Sequence, residues 1–409
     1  MTDRSATGAD RTTPDGAAPD AAAPDSVAPD SVAPDSVAPD PTAPRTGASR
    51  SGRQGPAAAG PAGSGSSGAD PAGGEAAEVA GIAPPPRRRS RAWLREEAGV
   101  LVVLVVLVAV VGAFRPDFLI AGNLTEIARQ SSYIGILAIG MVFALAMREV
   151  DLSVGGTYAL TIVAGALLIR DGGLSPWFAA MLAVALGGVL GFLNGLFTTY
   201  VRVPSFIATL GTLSLYKGLA LALSNGQQVG GLDQDHPFFR VVGGTILGLP
   251  GAVWVLVLSA AVLTVVFTRT RFGARIRAVG SNPDAAAFTG IPVNRVRIQA
   301  LTVTGLFAGV SGVLALSFFV AGDPTVGQGY ELMAIAAAII GGTPLRGGTG
   351  SVPGAVLGSL ILSVVAASLV FFSVPINWTT FATGGVILLA VALDSGLRRA
   401  RAARRRTPA

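Results

Sequence analysis

The chain alternates between long apolar runs and short polar breaks, and the length of the runs decides its class. Apolar stretches cover about 98–114, 131–147, 152–169, 177–200, 204–223, 251–267, 298–320, 330–343, 353–372 and 376–394. A membrane-spanning helix needs about 20 apolar residues, so the pattern predicts an all-α, polytopic membrane protein of about ten transmembrane helices. Several runs are shorter than a perpendicular crossing requires. The Gly-interrupted stretches around 147–156 and 340–354, the second containing Gly341 and Gly342, predict broken helices that line a pathway. Irregular backbone survives at membrane depth only where protein or water covers it. Small residues recur every four positions at Gly187, Gly191 and Gly195, at Gly305 and Gly309, and at Gly354 and Gly358. That spacing predicts helices packed at close range in lipid.

Residues 1–86 carry a different pattern. Ala-Pro-Asp recurs at 18–20, 23–25, 28–30, 33–35 and 38–40, and Pro, Gly, Ala and Ser dominate the rest. Such a stretch cannot bury enough apolar surface to offset chain entropy, which predicts a disordered tail. It has no apolar core after a basic start, so it is not a secretory signal. The predicted divisions are therefore this tail, a transmembrane domain over 87–396 and a basic tail over 397–409. Arg87, Arg88, Arg89, Arg91 and Arg95 precede the first span and place its start in the cytoplasm. Threading ten spans from there leaves twenty arginines inside and four outside. A mis-drawn span would erase that bias, so both termini are expected to be cytoplasmic.

The longest polar interruption inside the membrane half is the island from Arg269 to Arg297, with Arg269, Arg271, Arg275, Arg277, Arg295 and Arg297. Between its arginine groups lies a short segment with complete helix punctuation. Asn282 is a good N-cap, Pro283 suits the first helical position and Asp284 faces the positive end of the helix dipole. Ala285 and Ala286 are strong helix formers, Gly290 can take the left-handed C-terminal position, and Pro292 stops the helix. A short capped helix between basic flanks on a membrane surface suits contact with a partner; an ordinary cytoplasmic loop is the plain alternative.

Composition narrows the chemistry. The 409 residues are 51% hydrophobic and 13% charged, against about 25% charged in soluble domains. The net charge of +6 does not imply nucleic acid, because the arginines sit beside spans. The chain has no cysteine and a single histidine, His236 in the outer loop 224–250. Thiolate or poly-histidine metal sites, Ser–His catalysis and a multi-histidine proton relay are therefore excluded. Asp233 and Asp235 lack further ligands at calcium-loop spacing. No metal, cofactor or catalytic residue is expected. Gly342 to Thr349 approaches a phosphate-binding loop, but Gly348 stands where the lysine is required, so any ATP must be hydrolysed by another subunit. Ionisable residues near or within spans are Glu149, Asp151, Lys217, Glu331 and Asp394. Each is costly at a helix centre and so is a functional candidate. Asp151 also has a structural reading as an N-cap followed by Ser153. The pathway set is thus Asp151, Ser153, Lys217, Glu331, Gly341 and Gly342.

Four separated stretches resemble the monosaccharide importer permeases of ribose/xylose type, the integral membrane subunits of ATP-binding-cassette systems. They are Asp151-Leu152-Ser153-Val154-Gly155-Gly156, Pro204 to Thr212, the run from Gly280 through Asn282, Ala285, Ala286 and Gly290 to Val293, and Tyr330 through Gly350 to Val352. The resemblance covers about residues 93–396. Arg148-Glu149 departs from it, standing where the family usually shows a glycine pair. The resemblance implies a bacterial multi-pass protein of the cytoplasmic membrane that carries a ribose- or xylose-like sugar. It implies an ATPase subunit docked on the helix of Asn282, Pro283, Asp284, Ala285, Ala286 and Gly290. Its other implied partners are an extracytoplasmic sugar-binding protein, a second permease copy and the surrounding lipid. The alternatives are a permease for nucleosides or branched-chain amino acids, and a secondary sugar transporter.

Overall fold

A computed structural model describes residues 90–375 and isolated positions between 378 and 392. The tail 1–86, the segment expected at 376–394 with Asp394, and the basic tail 397–409 lie outside these residues or touch them only at isolated positions. In chain order the helices are α1 (Ser90–Phe114), α2 (Ala121–Ala146), α3 (Val154–Arg170), α4 (Pro176–Leu196), α5 (Ser205–Leu223), α6 (Gly251–Arg269), α7 (Arg271–Ser281), α8 (Pro283–Phe288), α9 (Val293–Phe319), α10 (Tyr330–Ile340) and α11 (Val352–Phe371). Seven helices among the described residues are long and apolar enough to cross a membrane: α1, α2, α4, α5, α6, α9 and α11. The other two predicted segments, α3 and α10, are helices of 17 and 11 residues. At 1.5 Å per residue α10 is about 16 Å long, roughly half the hydrocarbon thickness. It is the broken helix that the glycines around 340–354 predict.

The bundle is built around α2 and α9. From Ser131 to Ala146, α2 is apolar or small on every face and fully buried, as expected of a helix hydrophobic all round. In contrast, α1 presents Val102, Val103, Val105 and Val106 outward, aliphatic surface suited to lipid. The predicted glycine spacings mark real seams. A Cβ on Gly195 of α4 would stand 2.7 Å from the Cα of Ile298 on α9, and one on Gly305 of α9 would stand 2.7 Å from the Cα of Gly191. Gly358 of α11 lies equally close to α10, where a Cβ would stand 2.8 Å from the carbonyl carbon of Ala337.

Two local features differ from the sequence expectations. The polar island contains an unexpected amphipathic helix, α7, whose N-cap Thr270 accepts the amide of Gly273 at 3.3 Å. Its buried Gly273, Ile276 and Gly280 follow the i, i+3, i+7 spacing of a half-buried helix, a signal masked by the arginines between them. The N-cap of α3 is Ser153, not Asp151. The loop 224–250 carries local structure of its own. Phe238 is buried with its ring edge-on to Trp177 at 5.1 Å, and Thr245–Ile246 pairs antiparallel with Leu249–Pro250. His236 serves this loop, its Nδ1 accepting the amide of Phe238 at 3.2 Å.

Candidate functional site

Helix α8 forms as its punctuation dictates. The Asn282 side chain accepts the amide of Ala285 at 3.0 Å, and Pro283 occupies the first turn. At the other end Gly290 has φ +81°, its amide donates to the Ala287 carbonyl, and the Ile291 amide donates to the Ala286 carbonyl. That pair of bonds is a complete Schellman motif, which needs a residue free to adopt the left-handed conformation. Of the residues assigned to contact a partner, Asp284 and Ala285 face outward, but Ala286 does not. It is 4% exposed and joins the central core cluster, so it anchors the helix to its own chain. The most prominent outward group is one the sequence reading did not single out, Phe288, at 92% exposed.

Directly behind α8 stands Arg148, in the non-helical turn 147–153 between α2 and α3. Its backbone has φ +67°, a conformation that costs a side-chain-bearing residue about 1–2 kcal/mol and glycine almost nothing. Its guanidinium uses that geometry. Nε donates to the Gly280 carbonyl at 2.6 Å and to the Arg346 carbonyl at 2.8 Å, while Nη2 donates to the Ser281 carbonyl at 2.5 Å. One side chain therefore joins three segments: the turn after α2, the end of α7 beside the α8 cap, and the Gly-rich turn between α10 and α11. In that last turn the Gly348 amide, one of those a nucleotide loop would offer to phosphate, donates to the Ala146 carbonyl at 2.8 Å. Glu149 carries the link further by pairing with Arg297 of α9 at 2.6 Å.

Below Arg148 the turn enters the bundle, where every polar group must find a protein partner. The Val150 amide donates to the Ser205 hydroxyl at 3.1 Å and the Leu152 amide to the Thr209 hydroxyl at 3.0 Å. Ser205 and Thr209 are four residues apart and so share one face of α5. Asp151, fully buried, accepts the Ser153 amide at 3.0 Å and the Ser153 hydroxyl at 2.6 Å, and its other oxygen accepts the Thr304 hydroxyl. Asn194 of α4 donates to Ser153 at 2.6 Å, and the Tyr216 hydroxyl donates to Asn194 at 3.2 Å. A buried carboxylate without a cation is expensive; here three donors hold it. Asp151 and Ser153 are thus a knot joining four helices, and both Asp151 oxygens are occupied.

Lys217 of α5 and Glu331 of α10 come from segments 114 residues apart, yet they line one cavity of about 260 Å³ with Ser214, Gln328 and Gly155. The volume lies just below the ~300–1,000 Å³ of drug-sized ligand sites and suits a small solute. A Cβ on Gly155 would meet the Glu331 carboxylate, so the bare backbone there leaves that group its present place over the cavity. Gly341 and Gly342 are not in this cavity. They end α10, about 15 Å along the helix from Glu331, with Gly341 packed on Gly354 and Gly342 at φ +95°. The six expected pathway residues therefore fall into three places: the knot, the cavity and the Gly-rich turn. Sequence reasoning missed Thr304, Asn194, Ser205 and Thr209 as partners of the knot, since a hydroxyl or amide inside an apolar run carries no sign of what it faces.

Residues 123–391 match the family described as branched-chain amino acid transport system / permease component. The chain is 34% identical to the L-arabinose ABC transporter permease protein of Azospirillum brasilense over 326 residues, which are 79% of this chain and 95% of the relative. It is 35% identical to the ribose import permease protein of Escherichia coli K12 over 308 residues, 75% of this chain and 95% of the relative. A D-allose transport system permease protein of the same organism is 35% identical over 301 residues, 73% and 91% of the two chains.

Proposed function

The chain belongs to the branched-chain amino acid transport system / permease component family, and from that premise we propose that it is the membrane subunit of an ATP-driven importer that carries a monosaccharide. The family description names amino acids, but the arabinose, ribose and allose permeases match nearly their whole length. The sugar reading therefore stands ahead of branched-chain amino acids or nucleosides. The chain crosses the cytoplasmic membrane ten times with both ends inside. Cysteines placed at Gln234 and Ser281 of this cysteine-free chain would then be modified by an impermeant reagent from opposite faces; modification of both from outside sinks that topology.

The observation that carries the functional reading is the chain of contacts from α8 inward. A cytoplasmic ATPase grips the exposed surface of α8, with Phe288 as its apolar anchor. Movement of α8 pulls on the carbonyls of Gly280 and Ser281, and Arg148 passes that pull to the 147–153 turn and the Gly-rich turn. The first leads to the Asp151 knot. The second leads to α10, whose far end holds Glu331 over the cavity. Lys217, Glu331, Gln328 and Ser214 offer the solute polar contacts while the ATPase supplies the energy. An extracytoplasmic binding protein delivers the sugar, and a second permease copy completes the path.

Phe288→Asp tests the first link. Burying a Phe side chain is worth about 1.5–3 kcal/mol, so association with the ATPase should weaken roughly 10- to 100-fold. The variant should still fold and reach the membrane, because Phe288 touches almost none of its own chain. Co-purification and ATP-dependent sugar uptake in proteoliposomes report the outcome. Undiminished ATPase capture would remove α8 from the docking surface.

A further inference from the structure

Beside the cavity, the bundle holds hydroxyls for which the coupling path has no use. Tyr133 of α2 and Tyr158 of α3 are 4% and 0% exposed, and no protein group hydrogen-bonds to either hydroxyl. The hydroxyl of Thr157, next to Tyr158, is also buried and unpaired. The ring of Tyr330, which begins α10, lies 5.4 Å from that of Tyr158. Tyr330 packs against both apolar clusters, the one that contains Tyr133 and the one that contains Tyr158.

This cluster adjoins the cavity. Gly327 lines the cavity, and a Cβ on it would come within 2.5 Å of the Tyr158 ring. Gly155 and Ala159, which bracket Tyr158 on α3, line it too, and Tyr330 directly precedes Glu331. An unpaired buried hydroxyl is unfavourable, and phenylalanine would fill the same space without it. Such a hydroxyl is satisfied either by buried water or by a partner that arrives in another state of the protein. A pyranose suits them chemically, because its hydroxyls exchange hydrogen bonds with phenols while its C–H faces lie against aromatic rings.

We propose that Tyr133, Tyr158 and Tyr330 form an aromatic, hydroxyl-lined subsite, continuous with the Lys217–Glu331 cavity, that holds the monosaccharide during its passage. This rests on the sugar-importer reading. The test uses the full permease with its ATPase and binding protein in proteoliposomes, and measures uptake of radiolabelled D-ribose, L-arabinose and D-allose. Tyr158→Phe and Tyr133→Phe each remove one oxygen that no protein group bonds, so assembly, thermal stability and ATP hydrolysis should be kept or improved. Uptake should fall by roughly tenfold, the worth of one hydrogen bond to solute, and the rank order of the three sugars should change. Wild-type uptake with both variants unaffected overturns the subsite while leaving the importer reading intact; the hydroxyls are then satisfied by buried water. Failure of both variants to assemble also overturns it, since the oxygens would be structural. A wild type that hydrolyses ATP but carries none of the three sugars removes the sugar reading and the subsite with it.

Discussion

The seam between α4 and α9 and the node around Arg148 solve the same problem, close approach of two backbones, by opposite means. In the seam the approach is made by deleting side chains. Gly187 and Gly191 meet Gly305 and Gly309, and Gly195 meets Ile298, so closely that a single Cβ would overlap backbone. Dispersion holds it, and dispersion falls off steeply with any separation. In the node the approach is made by adding one long side chain, whose guanidinium reaches carbonyls of Gly280, Ser281 and Arg346. Those bonds are directional, can be exchanged one at a time, and span a gap that can widen. The seam has one arrangement and the node can have several. In the proposed mechanism the seam is the rigid body and the node the joint, and Glu149, next to Arg148, ties the node to α9 through Arg297.

Three substitutions would break or sharpen that contrast. Gly191→Leu strikes the seam. Four carbons would be driven into the α9 backbone, where the nearest Cα would already stand 3.0 Å from a Cβ. Overpacking costs about 1–3 kcal/mol even in cores that can relax, and this contact has only backbone to displace. The expected result is loss of folded, detergent-stable protein, measured by yield and thermal transition. A stable variant would show that the seam can slide.

Arg148→Gly strikes the node more gently. It removes the guanidinium but also the strain of φ +67°, so the two changes offset and the fold should survive with a stability change of about 1–2 kcal/mol. Coupling should suffer instead. Sugar carried per ATP hydrolysed should drop about fivefold, the lower end of ordinary coupling energies, while ATPase capture by α8 persists. An unchanged ratio would mean that the Gly348–Ala146 bond and the Ser205 and Thr209 hydroxyls hold the turn without help. Arg148→Lys should do least, about a twofold drop. It keeps the charge but concentrates it on one nitrogen, which cannot fork to three carbonyls. A loss equal to that of Arg148→Gly would assign the whole effect to the fork.

Much of this was written in local sequence. Apolar runs announced the seven helices that are long and apolar enough to cross a membrane among the described residues, because removal from water depends on length and composition. The caps of α8 at Asn282, Pro283 and Gly290 were legible, because each is a bond or a backbone preference acting over three or four residues. The glycine spacings announced close packing for the same reason, though not which helix would meet which. What the sequence could not determine was every relation across distance. It could not say that Arg148, marked only as a departure from a glycine pair, would reach residues 132 to 198 positions away. Nor could it say that Ala286 would turn inward while Phe288 turned out, that Lys217 and Glu331 would share a cavity, or that Gly341 would lie far from it. Those outcomes depend on how whole helices stack, and the seams that fix the stacking let a residue deep in one run face any of several others. Short-range bonds are decided by the chain itself, whereas long-range partners are decided by packing that exists only once the bundle has formed.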